Sequence, residues 1–419
     1  MSRILDVYLH EIYAGQLIQN ISGNLSFRYD PAYIANNLPA LSLSLPLRSE
    51  IYEAHQVKTF FSGFLPDEIA RHHLAKYLGI SEKNAFALLE VVGGECAGAL
   101  ALYPKGQVPP KAKNDDVEIL DNKRLKEILG LLKRRPLFVG EEGLRLSLAG
   151  AQAKIAVGVY QGNIALIRGA SPTTHILKPI ISDIKDSVHN ELFCMRLAGL
   201  VGIDVPHTEI RILDDIPYFL VERYDRIQEH DNHTRRLHQE DFCQALGLMP
   251  NIKYEREGGP NIAQCVFILR QYSKEPAIDQ LNFLKRIIFN YLIGNTDAHG
   301  KNFSLLYKGK KPQLAPAYDL LSTAIYPDFS SKMAMKIGGK YEPEEVLMRH
   351  WHKLVPDVKI ARQNLEKELL TLSKETVEKA GFLKENLNQA GIFSVVFDEI
   401  ITIIKKRTER IMRQIRLQI

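Results

Sequence analysis

Asn295-Thr296-Asp297-Ala298-His299-Gly300-Lys301-Asn302 follows the apolar, helix-patterned run Ile287 to Ile293 and crowds polar side chains into one short loop. An acid five positions before an amide is the spacing of a phosphotransfer catalytic loop. There the carboxylate receives or orients the attacking hydroxyl, and the amide oxygen holds magnesium. A hydrogen-bonded helix end followed by a turn accounts for the same residues equally well. The surroundings must therefore decide.

Seventeen residues beyond Asn302, Ala317-Tyr318-Asp319-Leu320-Leu321-Ser322 sets an acid between aromatic and apolar neighbours, just after a strand-like run. A phosphoryl donor carries several negative charges, so its magnesium needs oxygen ligands that reach one ion from neighbouring loops. Asn302 and Asp319 supply such a pair, although an N-cap or turn acid also fits Asp319. Upstream, Leu146-Ser147-Leu148-Ala149-Gly150-Ala151-Gln152-Ala153-Lys154 places small residues in a turn before the strand Ile155 to Val159. Exposed backbone N–H groups in such a turn can cradle phosphate oxygens. The spacing is not that of a Walker A loop, and a simple tight turn remains open. Lys178 ends the strand His175-Ile176-Leu177, where an ammonium can neutralise phosphates, and Glu191 lies 13 residues later on a helix expected from Val188 to Val201. Surface charge is the plain alternative for both.

The chain has 419 residues, enough for two or three domains, with 45% apolar and 25% charged residues. Those proportions take most of the weight from a disordered, collagenous or coiled-coil reading. A net charge of +5 is too small for a dedicated polyanion binder. Four dispersed cysteines, Cys96, Cys194, Cys243 and Cys265, fit reduced thiols in cytoplasm better than a disulfide framework or zinc site. His72-His73 and His350 with His352 lack the spacing of a metal pair on a helix face. No uninterrupted apolar run reaches membrane-spanning length, so neither secretion nor membrane association is expected.

Alternating runs at Ile4 to Leu9, Leu17 to Ile21 and Leu25 to Tyr29, separated by turn formers including Gly15, predict an antiparallel sheet. A helical pattern follows from Val57 to Leu89, with Pro66-Asp67-Glu68 as a helix start. Pro104 to Asp116 has the composition of a connector and places a boundary there. Short strands then recur, Ile155 to Val159, Asn163 to Ile167, His175 to Leu177 and Tyr218 to Glu222. From Glu240 onward the pattern is mostly helical, except for strand-like Phe303 to Tyr307 and Gln313 to Ala315. Ile400 to Arg416, with Lys405, Lys406, Arg407, Arg410, Arg413 and Arg416, reads as a solvated amphipathic helix, or else a partner or nucleic-acid surface.

Small-residue turn, strand, Lys178, helix, Val221-Glu222-Arg223-Tyr224-Asp225-Arg226, the 297 to 302 loop and Asp319 come in an order that resembles the HipA toxin family. Further matches are Leu41-Ser42-Leu43-Ser44-Leu45-Pro46-Leu47, Phe60-Phe61-Ser62-Gly63-Phe64-Leu65-Pro66-Asp67, Thr174-His175-Ile176-Leu177-Lys178, Gln239-Glu240-Asp241, Gly258-Gly259-Pro260 and Thr296-Asp297-Ala298-His299. The resemblance spans nearly the whole chain. It implies an α+β, protein-kinase-like bilobal fold, with a β-rich N-lobe, an α-helical C-lobe and an extra N-terminal α/β subdomain. The expected divisions are 1–115 for the subdomain, 116–225 for the N-lobe and 226–419 for the C-lobe.

The resemblance also implies roles. Asp297 would be the catalytic base, Asn302 and Asp319 the magnesium ligands, and Lys178 the contact to the phosphates of ATP. Ala149, Gly150, Ala151, Gln152, Ala153 and Lys154 would line those phosphates. Glu222, Arg223 and Tyr224 would hold adenine, with His299, Gly300, Lys301 and Tyr318 beside the nucleotide. Ser147 matches the family's self-phosphorylation site, and a phosphoserine beside ATP would repel the phosphates that the turn should cradle. Glu191 stays outside the catalytic set, because its distance from Lys178 is shorter than in ordinary protein kinases.

The expected function is an ATP-dependent serine/threonine protein kinase acting as a type II toxin. An aminoacyl-tRNA synthetase is the family-implied substrate, and a HipB-like helix-turn-helix antitoxin the implied partner, with DNA reached only through that complex. A catalytically silent corepressor that tightens the antitoxin's grip on operator DNA is the alternative. Nucleotide transfer on the same scaffold is a third.

Overall fold

The computed structural model describes residues 2–110, 116–132, 134–141, 143–169, 171–229 and 234–416. The boundary expected near 115 falls on 111–115, outside the described residues. Two compact units emerge: Met1–Pro179, Arg211–Ile252 and Ser304–Pro312 form one, and Ile180–Ile210, Lys253–Phe303 and Gln313–Ile419 the other. Each unit is assembled from three chain segments.

The first unit opens with an antiparallel sheet in the order Tyr52–Glu53, Leu25–Tyr29, Ile12–Gln19, Arg3–Leu9, Leu100–Pro104. Alternation buries Leu5, Val7 and Leu9 on one face, as a period of two requires. The second strand departs from expectation: it begins at Ile12 and contains Gly15, which is a strand residue beside a bulge and not a turn. A Cβ on Gly15 would sit 2.1 Å from the Arg28 carbonyl oxygen, so the glycine lets two strands approach. Helices Ala54–Ser62, Glu68–Leu78 and Ala85–Val92 cover the sheet, with Phe27, Phe60, Phe61 and Phe64 in a shared core. Asp67 is the N-cap, as the Pro66-Asp67-Glu68 signal predicts.

A second antiparallel sheet in this unit runs Val117–Ile119, Asn163–Ile167, Ile155–Tyr160, His175–Pro179, Ile216–Glu222. His238–Asp241 pairs with Ser304–Tyr307, a strand that runs two residues into the region from Glu240 onward where a mostly helical pattern was expected. Glu240, on that strand, is 1% exposed and accepts from the Ser42 and Tyr307 hydroxyls and from the Leu43 N–H at 3.0 Å. Burial pushes its carboxyl up to about 7.

The second unit is helical, built on Ser187–Leu200, Ile262–Tyr272, Pro276–Ile293, Lys359–Gln389 and Val396–Arg416. Asn261 and Gln264 form a capping box at one start, and Pro276 occupies the first turn of the next helix. Ser187–Leu200 belongs here because its buried face packs on the long helices, with Phe193 stacked on Phe397 at 4.9 Å. The last helix corrects one expectation: Arg407 is 8% exposed and donates to the Tyr291 carbonyl, and Arg410 donates to Glu344 and Val346 carbonyls. Those arginines close helix ends and turns of their own unit, while Ile400, Ile404 and Ile411 fill its core. Between Gln313–Leu314 and Met348–Trp351 the backbone is largely irregular, where a helical pattern was expected. Among the described residues no helix is long and apolar enough to cross a membrane.

Candidate active site

In the helical unit, Pro276–Ile293 ends on Gly294, and its C-terminus positions the acidic loop. Asn295 continues the helix hydrogen bonding to the Asn290 carbonyl at 2.9 Å, and its own side-chain oxygen accepts from the Asp297 N–H at 3.0 Å. Thr296 is held to Thr323 through both its N–H and its hydroxyl, at 2.7 Å each. The Asp297 carbonyl in turn accepts from the His299 N–H at 2.8 Å and from Asn302 Nδ2 at 3.3 Å. An acid and an amide five residues apart are thereby brought onto one side of a tight turn. The hydrogen-bonded turn expected after the helix is therefore present.

Asp297 is half-buried, and its Oδ1 accepts a 2.6 Å hydrogen bond from the Tyr254 hydroxyl. The Tyr254 ring stands edge-on to His299 with centroids 5.2 Å apart, and the Lys253 carbonyl accepts from the Gly300 N–H at 3.2 Å. His299 is 6% exposed, and its Nδ1 has no hydrogen-bond partner among the described residues. Burial, reinforced by the nearby Lys253 and Lys301 charges and opposed by Asp319, pushes it down to about 3, so the imidazole is neutral at neutral pH. Both lysines are buried and bring positive charge to this loop.

Asp319 reaches the same neighbourhood. The Tyr318 hydroxyl donates to the Lys301 carbonyl at 2.6 Å, and the Ala317 N–H donates to Asp204 at 2.7 Å. Three residues beyond Asp319, Ser322 exchanges hydrogen bonds with the Asn190 side chain at 2.8 Å. Asp319 itself adopts φ 58°, a left-handed conformation that turns the chain sharply between these anchors. Asp297, His299, Lys301, Asn302, Tyr318 and Asp319 are therefore one cluster within this unit.

The strand-rich unit holds the remaining candidates. The turn before Ile155–Tyr160 is docked on the N-terminal segment: the Ser147 N–H donates to the Glu95 carbonyl at 2.9 Å, and the Asp67 N–H to the Gly150 carbonyl at 3.1 Å. Gly150 has φ 106°, and Lys154 curls back to donate to the Ala149 carbonyl at 2.7 Å. Ala151, Gln152 and Ala153 complete this turn into the strand. Lys178 lies on the neighbouring strand, 6% exposed, with Nζ 5.8 Å from the Phe219 ring centre. Glu222 ends Ile216–Glu222 and is exposed, while Tyr224 donates to Gln239 Oε1. Arg223 turns inward: its guanidinium meets Asp225 at 2.8 and 3.0 Å, Thr173 Oγ1 at 3.0 Å and Glu95 at 3.3 Å. Glu191 is buried on Ser187–Leu200, in the helical unit.

Sequence reasoning missed Lys253, Tyr254, Thr323 and Glu95. Tyr254 and Glu95 act through partners far along the chain, so no spacing signals them. Thr296 and Thr323 flank the two acids that drew attention, and their hydroxyl pair was legible only as composition.

The family profile described as HipA N-terminal domain matches residues 5–103, and that described as HipA-like C-terminal domain matches residues 146–380. The chain is 42% identical to Y4mE of Sinorhizobium fredii, a protein named as a kinase, over 94% of each chain. It is 29% identical to the serine/threonine-protein kinase toxin HipA of Shewanella oneidensis, covering 82% of this chain and 80% of that one. The structure superposes on Shewanella oneidensis MR-1 HipA, solved with HipB and operator DNA, with a TM-score of 0.83 and 25% identity over 98% of this chain and 97% of that one.

Proposed function

This chain belongs to the HipA family of serine/threonine-protein kinase toxins, and we propose that it transfers the γ-phosphoryl group of ATP to a protein hydroxyl with Asp297 as base. The observation that carries this reading is the Asp297 to Asn302 turn, with Asp319 fastened beside it through the Tyr318 to Lys301 hydrogen bond. The acceptor hydroxyl gives its proton to Asp297 as its oxygen attacks phosphorus. Buried Lys253 and Lys301 offset negative charge near the loop, and His299, held neutral, leaves that task to them.

A kinase of this family uses ATP, and magnesium prefers hard oxygen ligands. The amide oxygen of Asn302 and the carboxylate of Asp319 are such ligands, on loops that the structure ties together, so the donor set fits the ion. They would hold it, and it would neutralise donor phosphates when bound. Ala149 to Lys154 and Lys178 contact those phosphates in this reading, and Glu222 to Tyr224 hold adenine chiefly through backbone, since Arg223 spends its guanidinium on Asp225 and Glu95.

The toxin role extends this chemistry. We infer an aminoacyl-tRNA synthetase as substrate, a helix-turn-helix antitoxin as partner, DNA contact only through that partner, a cytoplasmic location, and self-inactivation by phosphorylation of Ser147. The Shewanella oneidensis HipA structure, which contains HipB and operator DNA, supports the partner. Thermal shift tests the site: ATP should raise the melting temperature only with magnesium, and Asp319→Asn should abolish the gain. An unchanged magnesium-dependent shift in Asp319→Asn would refute the ligand assignment.

A further inference from the structure

We propose that Tyr254 is the positioning residue for Asp297, fixing the carboxylate so that Oδ1 is held by the phenol and Oδ2 takes the acceptor proton. This rests on Asp297 as base. The 2.6 Å separation between the Tyr254 hydroxyl and Asp297 Oδ1 falls in the range of about 2.5 to 2.7 Å found when a hydroxyl donates to an ionised carboxylate. Asn295 pins the backbone of Asp297, and the phenol takes hold of the carboxylate itself.

Tyr254 is itself anchored on both sides. Its predecessor Lys253 receives the Gly300 N–H on its carbonyl at 3.2 Å, and its own ring packs edge-on against His299. Its successor Glu255 donates its N–H to the Ala334 carbonyl at 3.1 Å and accepts the Lys336 N–H at 2.6 Å. The Glu255 carboxylate also pairs with Lys336 Nζ at 3.6 Å, and the Arg256 guanidinium lies 5.0 Å from the Tyr254 ring centre. Three consecutive residues thus grip the loop backbone, the base and the 334–336 segment. A donor fixed this firmly can impose an orientation on its acceptor, whereas a mobile one would follow it.

During transfer the acceptor oxygen forms a bond to γ-phosphorus, and the bond from phosphorus to the β,γ-bridging oxygen breaks. ADP leaves with that electron pair, and the acceptor proton moves to Asp297 Oδ2. The bond from Tyr254 is kept throughout, so its hydroxyl exchanges no proton with substrate.

The test is steady-state ADP formation from magnesium ATP, which counts transfer to any acceptor, water and the chain itself included. Tyr254→Phe deletes one oxygen and should lower kcat about 10- to 100-fold, the worth of one hydrogen bond to a charged group, with the KM for ATP unchanged. Added to Asp297→Asn, which should itself be nearly inactive, the phenylalanine should have no further effect, because the two residues act as one unit. A native kcat for Tyr254→Phe beside an inactive Asp297→Asn overturns the positioning role alone. A rise in KM with kcat unchanged does the same. Native turnover by Asp297→Asn overturns the base assignment, and this proposal with it.

Discussion

The Ser147 hydroxyl donates to the Phe64 carbonyl oxygen at 2.7 Å, from a side chain with 0% exposure. The small-residue turn is therefore docked on the N-terminal segment through the residue expected to accept phosphate. A phosphoserine, with roughly 1.5 to 2 negative charges, could not keep that hydrogen bond in a fully buried site.

Ser147→Ala should cost about 1 kcal/mol, one hydrogen bond, and should keep kinase turnover during long incubation with magnesium ATP, whereas the native protein should lose it. Ser147→Glu should undock the turn. Limited proteolysis checks this: cleavage within 146–154 should be faster in Ser147→Glu than in Ser147→Ala, and equal rates would contradict the account.

Glu95 joins the N-terminal segment to residues 223–226. Its Oε1 accepts from Arg226 at 2.5 Å, from Arg223 at 3.3 Å and from the Thr173 hydroxyl at 2.8 Å. Although burial works against its charge, Arg223 and Arg226 hold Asp225 well below the usual carboxylate range. Removing one partner from a buried ionic cluster costs about 3 to 5 kcal/mol, because the remaining charges stay buried. Glu95→Ala should show that loss in chemical denaturation, along with a raised KM for ATP from the loosened 222–224 segment. A loss under about 1 kcal/mol, the worth of an exposed ion pair, would place the cluster at the surface.

Glu240 predicts a pH dependence. Burial raises its carboxyl from 4.5 unfolded to about 7 folded, so between those values the folded chain binds more protons than the unfolded chain. Its contribution is full below pH 4.5 and is lost as pH rises through about 7. Glutamine carries no such penalty. The stability of Glu240→Gln relative to the native protein should therefore climb with pH across this window, by roughly 3 kcal/mol, and level off above it. Melting curves of both proteins from pH 4 to 8 decide this, and a constant difference would refute it.

Much of this architecture could be read from local periodicity. Leu25 to Tyr29, Asn163 to Ile167 and the helix near 188 to 201 came out within a few residues, because alternation and helical spacing are local properties. The acid and amide pattern of Asp297, Asn302 and Asp319 was legible for the same reason, being spacing within short loops. Gly15 was misread because a glycine that admits a neighbouring backbone looks, in sequence, like one that makes a turn. Arg407 was misread because a charge near the end of an amphipathic helix says nothing about the carbonyl waiting to receive it. The irregular chain after Leu314 is held by long-range contacts such as Thr323 to Thr296 and Glu255 to Lys336, which no window of sequence contains. Tyr254 escaped for that reason too, lying 43 residues from the carboxylate it touches.

Asp297→Asn tests the central claim most directly. On native and variant protein, magnesium ATP affinity and transfer of the γ-phosphoryl label are measured side by side. The account predicts affinity kept within a few-fold and transfer reduced about 100- to 10,000-fold, the usual contribution of a positioned base. Native-rate labelling by Asp297→Asn would contradict it.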